Sequence, residues 1–138
     1  MIKYAVIDTN VMVSAMLSSH DDAATVQVVG KLFTGEIIPL YNAEIMAEYS
    51  DVLSRDKFCF PKDKIYEMLL VIEKYGICVD VVSCDEILPD MKDLPFYAIT
   101  LEKRDDNAYL ITGNIKHFPH KPFIVTASQM LEILEREK

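Results

Sequence analysis

Tyr4-Ala5-Val6-Ile7-Asp8-Thr9-Asn10 is the stretch that decides how the chain is read. The apolar run Tyr4 to Ile7 reads as a central strand of a parallel sheet, covered on both faces. A carboxylate at the carboxyl end of such a strand stands where open α/β sheets bind ligands. Helix-favouring residues follow from Val11 to Leu17, which places Asp8 in a strand-to-helix turn. A plainer reading stays open beside this one: Asp8 or Asn10 caps the helix.

Outward from that stretch, strand-like and helix-like segments alternate. The polar break at Ser18 to Asp22 leads to a helix with Asp22 as its cap and Val26, Val29, Leu32 and Phe33 on one face. Gly35 ends it, and Ile37 to Tyr41 reads as a second strand, whose Pro39 argues against a central place. Asn42 caps a helix from Ala43 to about Leu53. Pro61 starts another, with Ile65, Met68, Leu69 and Ile72 spaced for burial, and Gly76 stops it. A third strand is expected from Ile77 to Val82, a turn from Asp90 to Pro95, and a helix from Phe96 to Lys103. Tyr109 to Thr112 and Phe123 to Val125 read as the last strands, before a helix from about Ala127 to Glu135. This alternation predicts a three-layer α/β fold with right-handed crossovers and a mostly parallel sheet of about five strands.

The 138 residues suit one domain with one core, and slightly over half are hydrophobic. No apolar run approaches the roughly 18 to 20 residues that span a bilayer. The start, Met1-Ile2-Lys3, lacks the apolar stretch of a secretory signal. Cys59, Cys78 and Cys84 are odd in number and lack metal-finger spacing, so they are expected to be reduced and packed. A cytoplasmic protein without a membrane partner is the expectation. The net charge of −8 argues against broad attraction to a phosphate backbone. Local cations, or divalent ions that cancel clustered acids, would still hold a polyanion.

Three more positions fall near the carboxyl ends of the predicted strands. Glu48 lies in the helix after strand two, Asp93 opens the helix after strand three, and Asn114 follows strand four. Gathering such acids is costly: two carboxylates about 4 Å apart repel by on the order of 4 kcal/mol at an effective dielectric of 20. A hard divalent cation held by oxygen ligands is the usual compensation, and Mg²⁺ or Mn²⁺ suits a set without a cysteine–histidine cluster.

At these residues the chain resembles the PIN-domain nucleases along essentially its whole length. The matching pieces are Val6-Ile7-Asp8-Thr9-Asn10-Val11 with Ser14, Glu48-Tyr49 with Val52-Leu53, Asp90-Met91-Lys92-Asp93, and Leu110-Ile111-Thr112-Gly113-Asn114. Lys116-His117-Phe118-Pro119 is similar to the VapC-like subgroup, toxins of toxin–antitoxin pairs. The resemblance implies a single PIN-like domain over residues 1–138 that hydrolyses RNA phosphodiester bonds with a divalent metal. Asp8, Glu48 and Asp93 stand at the family's acidic metal-binding positions. Thr9, Asn10, Ser14 and Thr112 stand where acids or water are oriented. Lys116 and His117 are candidates for RNA contact, and a homodimer and a cognate antitoxin protein are the implied partners. Many family members carry an aspartate where this chain has Asn114, an amide that ligates metal without supplying charge. Asp90 either compensates for this at the metal site or simply caps a turn.

Other acids read as surface groups: Glu44 in a first helical turn, and Asp21, Asp22, Asp105 and Asp106 in polar loops. His20, His117 and His120 accompany no nucleophile pattern. Met12, Met16, Met46, Met68 and Met130 fit core faces. Two further function classes compete with the nuclease. One is a weakened PIN domain that binds RNA or protein without cutting. The other is a phosphoacceptor signalling domain, which needs an aspartate where strand three ends in Val82-Ser83-Cys84.

Overall fold

The computed structural model describes residues 2–81 and 83–137. Its sheet holds five strands: β1 (Lys3–Ile7), β2 (Ile37–Tyr41), β3 (Ile77–Cys78), β4 (Tyr109–Ile111) and β5 (Ile124–Val125). They lie in the order β3-β2-β1-β4-β5, and every pairing is parallel. The helices are α1 (Thr9–Leu17), α2 (Ala24–Thr34), α3 (Ala43–Leu53), α4 (Lys62–Tyr75), α5 (Leu94–Glu102) and α6 (Ala127–Arg136).

Successive strand residues point to opposite faces of a sheet. Ala5, Val6 and Ile7 are all essentially inaccessible, so both faces of β1 are covered and the sheet is the middle of three layers. The apolar run therefore does what its composition demands. β1 pairs with β2 through Lys3↔Ile37 and Ala5↔Pro39, and with β4 through Ala5↔Tyr109 and Ile7↔Ile111. The chain fills one side of β1 with β2 and β3, then crosses to the other side for β4. That reversal makes a crevice at the carboxyl ends of β1 and β4, where doubly wound sheets hold ligands.

Pro39 sits in an interior strand after all. A proline is tolerated there because β3 pairs with β2 only at Leu40↔Ile77 and Tyr41↔Cys78, beyond the residue that lacks a donor. Gly76 makes the close approach at this point. A Cβ on it would lie 2.3 Å from the Ile72 carbonyl oxygen and 2.6 Å from that of Pro39.

Several sequence expectations need correction. The third strand is two residues long rather than six, because its partner ends at Tyr41, where Asn42 caps α3 by accepting from the Ile45 amide at 2.8 Å. The Val79 amide still bonds to the Tyr41 carbonyl at 2.8 Å, and Val82 lies outside the described residues. Asp22 does not cap α2. The Ala23 amide bonds back to the His20 carbonyl at 3.2 Å, closing a turn that shifts the N-cap to Ala23. The buried face of α2 is Val28, Val29 and Leu32, while Val26 is partly buried and Phe33 is about half exposed. The fifth helix starts at Leu94, inside the expected turn, with Pro95 in its first turn where a missing amide costs nothing. The cysteines are free, but Cys59 and Cys78 are exposed rather than packed. Met12, Met68 and Met130 are core, and Met16 and Met46 pack against it. Among the described residues, no helix is long and apolar enough to cross a membrane.

Candidate metal centre at the strand ends

Asp8 emerges where β1 ends. Its amide donates to the Ile111 carbonyl at 2.9 Å, which fastens the turn to the end of β4. It occupies the N-cap position of α1, yet its side chain makes no capping hydrogen bond. The buried carboxylate instead accepts from the Thr112 hydroxyl at 2.7 Å and from the Asn10 side-chain amide at 3.4 Å. Asn10 Oδ1 in turn accepts from the Gly113 amide at 3.3 Å, so Asn10 bridges the two strand ends. The Thr112 hydroxyl accepts from the Asn114 amide at 2.9 Å, which leaves its proton for Asp8. The Asp8 carboxylate is thus held by Thr112 beyond β4, with the first amides of α1 acting on it more weakly.

Burial raises the Asp8 pKa. The Thr112 bond opposes that, the Asp93 charge adds to it, and the Asn10 and Thr9 amides at the start of α1 pull it back. Glu48 projects from α3, half-buried, and accepts a hydrogen bond from the Thr9 hydroxyl. Its pKa is raised by burial first, and then by the charges of Asp8 and Asp90, while Thr9 and Lys92 act the other way. The neighbouring Tyr49 is fully buried and donates to the Ile7 carbonyl at 2.5 Å. Glu44, one turn earlier in α3, is exposed, as its first-turn position implies.

Asp93 ends a short 3-10 turn, Met91–Asp93, and stands at the N-cap of α5. Asp90 closes that turn by accepting from the Lys92 amide at 3.0 Å. The turn-capping role is the one this geometry shows, and the Asp90 charge also acts on Glu48 and Asp93. Burial, then Asp90, raises the Asp93 pKa, and Glu48 adds a smaller push. His117 opposes the shift, with Nδ1 3.2 Å from Asp93 Oδ2.

Asp8, Glu48 and Asp93 come from three separated stretches of chain and act electrostatically on one another at the sheet's switch point. The sequence profile described as a PIN domain matches residues 4–116, from β1 past β4. The chain belongs to the PIN-domain family. Comparison with curated proteins and with solved structures gave no match. PIN domains are generally nucleases and typically use divalent metals, and the fold described above is the family's α/β/α sandwich.

The donor chemistry of this PIN domain suits a hard cation: carboxylate oxygens that destabilise one another when charged, with hydroxyls behind two of them. Among the described residues, no three His, Cys, Asp or Glu side chains already converge tightly enough to ring an ion. Glu48 is turned to Thr9 and Asp93 to His117.

The other sequence candidates divide. Thr9, Asn10 and Thr112 contact the acids. Ser14 does not: its hydroxyl lies 3.3 Å from that of Thr25 on α2, although Ser14 lines the same cleft as Asp8. Asn114 is exposed and, with Lys116, His117 and Thr126, borders a separate depression of about 410 Å³. His117 joins the two regions through Asp93. Reading the sequence missed that pairing and the support that Tyr49 gives to β1. A histidine and an acid 24 residues apart leave no periodic signal. Tyr49, adjacent to Glu48 on a helix that also buries Ile45 and Leu53, could have been placed by helical spacing. The phosphoacceptor reading loses its footing, since the chain matches the PIN profile and β3 ends at Cys78.

Proposed function

We propose that this PIN domain is a Mg²⁺- or Mn²⁺-dependent endoribonuclease, with Asp8, Glu48 and Asp93 as the groups that hold the metal. The observation carrying the reading is geometric: Asp8 follows β1 with its carboxylate bonded to Thr112 beyond β4, and the adjoining Thr9 bonds Glu48. When bound, the ion supplies activation of water for attack at phosphorus and neutralisation of charge on the phosphate. Thr112 and Asn10 fix the Asp8 carboxylate, and Thr9 restrains Glu48 until it is needed. His117 positions Asp93, and the neighbouring Lys116 offers cationic contact to the RNA backbone. Asn114, on the neighbouring depression, would offer an amide oxygen without charge, so a second metal would bind more weakly.

The resemblance at Lys116-His117-Phe118-Pro119 extends this proposal to the toxin half of a toxin–antitoxin pair. Under that reading the protein is a cytoplasmic homodimer, residues 1–138 form one domain, and a separate antitoxin chain restrains it. Incubating labelled RNA and labelled DNA with Mg²⁺, Mn²⁺ or EDTA tests the activity. The proposal expects metal-dependent internal cuts in RNA and little cleavage of DNA.

A second reading is favoured by two observations, the amide at position 114 and the absence, among the described residues, of three converged donors. Under it the domain binds RNA or a protein without cutting. Saturable RNA binding with no turnover in Mn²⁺ supports that reading, and multiple turnover eliminates it.

A further inference from the structure

The cleft beside Asp8 has an apolar end that the chemistry above does not use. It begins at Asp8, Asn10 and Ser14, runs to Leu17, Val52 and Phe58, and encloses about 620 Å³. That volume lies within the roughly 300–1,000 Å³ common for ligand sites. Phe58 ends a 3-10 turn, Asp56–Phe58, that follows α3. The next residue, Cys59, adopts the left-handed conformation at φ 55°, which is uncommon for a residue with a side chain. Phe60 then stacks on Phe58, with ring centroids 5.3 Å apart and planes within 11°. Phe58 stays partly exposed, and the ammonium of the exposed Lys57 lies 5.1 Å from its ring centroid.

We infer that Phe58 is a stacking platform for an unpaired base of the RNA substrate, beside the phosphate presented to Asp8. The inference rests on the nuclease reading and names its substrate class, a strand whose bases are free to splay. Base–aromatic stacking tolerates any sequence but needs an exposed base face, which a duplex withholds. With a net charge of −8, broad electrostatic adhesion is weak, and affinity has to come from local contacts. The cleft divides as a nucleotide does. It includes the Asp8 carboxylate, where a cation would bridge to phosphate, and is walled elsewhere by Leu17, Val52 and the Phe58 ring.

The chain contains no tryptophan, so Phe58→Trp introduces a single indole into the cleft. In an Asp8→Asn background that does not cut, the protein is titrated with a short single-stranded RNA, its duplex, and the same strand with abasic positions. We expect saturable quenching by the single strand alone. With Asp8 intact, Phe58→Leu raises the KM for the single strand roughly tenfold, the effect of losing one stack. Phe58→Tyr keeps the wild-type value, kcat is unchanged in both, and circular dichroism reports both folded.

Equal KM values for the Leu and Tyr variants overturn the inference, as does equal quenching by duplex or abasic RNA. Quenching by an amphipathic helical peptide but not by RNA overturns it too, and assigns the cleft to a protein partner. Asp8-dependent cutting that ignores Phe58→Leu sinks the platform and leaves the nuclease standing. A wild type that never cuts sinks the nuclease reading, while the indole titration still reports whether a base stacks.

Discussion

Thr112 shows how much of this site depends on single hydroxyls. Fully buried at the end of β4, it accepts from the Asn114 amide and donates to Asp8. Thr112→Val keeps the shape but removes both bonds, leaving the buried carboxylate partly unsatisfied. Metal-dependent cleavage should fall by about 10- to 100-fold, the range for losing a group that orients a metal ligand. Thr112→Ser restores the hydroxyl and should recover most of the rate. Comparing the two variants at saturating metal checks this, and equal rates would separate Thr112 from the chemistry. At this scale the sequence pointed to the residue types but not to their partners. Asp8 and Thr112 stand 104 positions apart, and strand order alone brings them together.

Among the elements, α2 and the junction of α4 with β3 show what local pattern decides and what packing decides. Gly30 lies inside α2, and a Cβ added there would meet nothing within 4 Å. Gly30→Ala should therefore stabilise the fold by about 0.5–1 kcal/mol through helix propensity. Gly76→Ala should destabilise it by about 1–3 kcal/mol, because the new methyl meets two backbone carbonyl oxygens that cannot turn aside. Urea titration of both variants reads these opposite signs. The elements readable in the sequence were those whose local signals agreed, such as the apolar β1 and the Asn42 cap of α3. The start of α6 was placed as well, and the Thr126–Gln129 capping box accounts for it. β3 was not readable, because Ile77 to Val82 is apolar enough for a strand and its length is set by where β2 stops. The start of α2 was missed because a turn through His20 to Ala23 separates Asp22 from the helix.

For the whole molecule, the raised acids make stability depend on pH and metal. Asp8, Glu48 and Asp93 all sit above their ordinary values in the fold, chiefly through burial. The folded state therefore holds protons that the unfolded chain has released, and stability falls as pH climbs from about 4 through the raised values. Below that window both states are protonated and the penalty is absent, and above the raised values it is complete. In metal-free protein, Asp8→Asn should remove part of this decline, so the variant gains stability relative to wild type as pH rises. It should also lose the stabilisation by Mg²⁺, which for wild type at about 100 times Kd is on the order of 8 °C in Tm. Thermal melts of both proteins at pH 4 and 7, with and without Mg²⁺, measure these differences. Identical pH and Mg²⁺ responses would show that Asp8 is neither strained nor a metal ligand.

Asp8, Glu48 and Asp93, at the end of β1, in α3 and at the start of α5, are proposed to hold one catalytic ion. Single-turnover cleavage of labelled RNA by wild type, Asp8→Asn and Asp93→Asn, each shown to be folded, tests this most directly. With Mn²⁺ present, the account predicts cutting by wild type, background cutting by both variants, and complete loss in EDTA. Cutting that persists in either folded variant, or that is indifferent to EDTA, would contradict it.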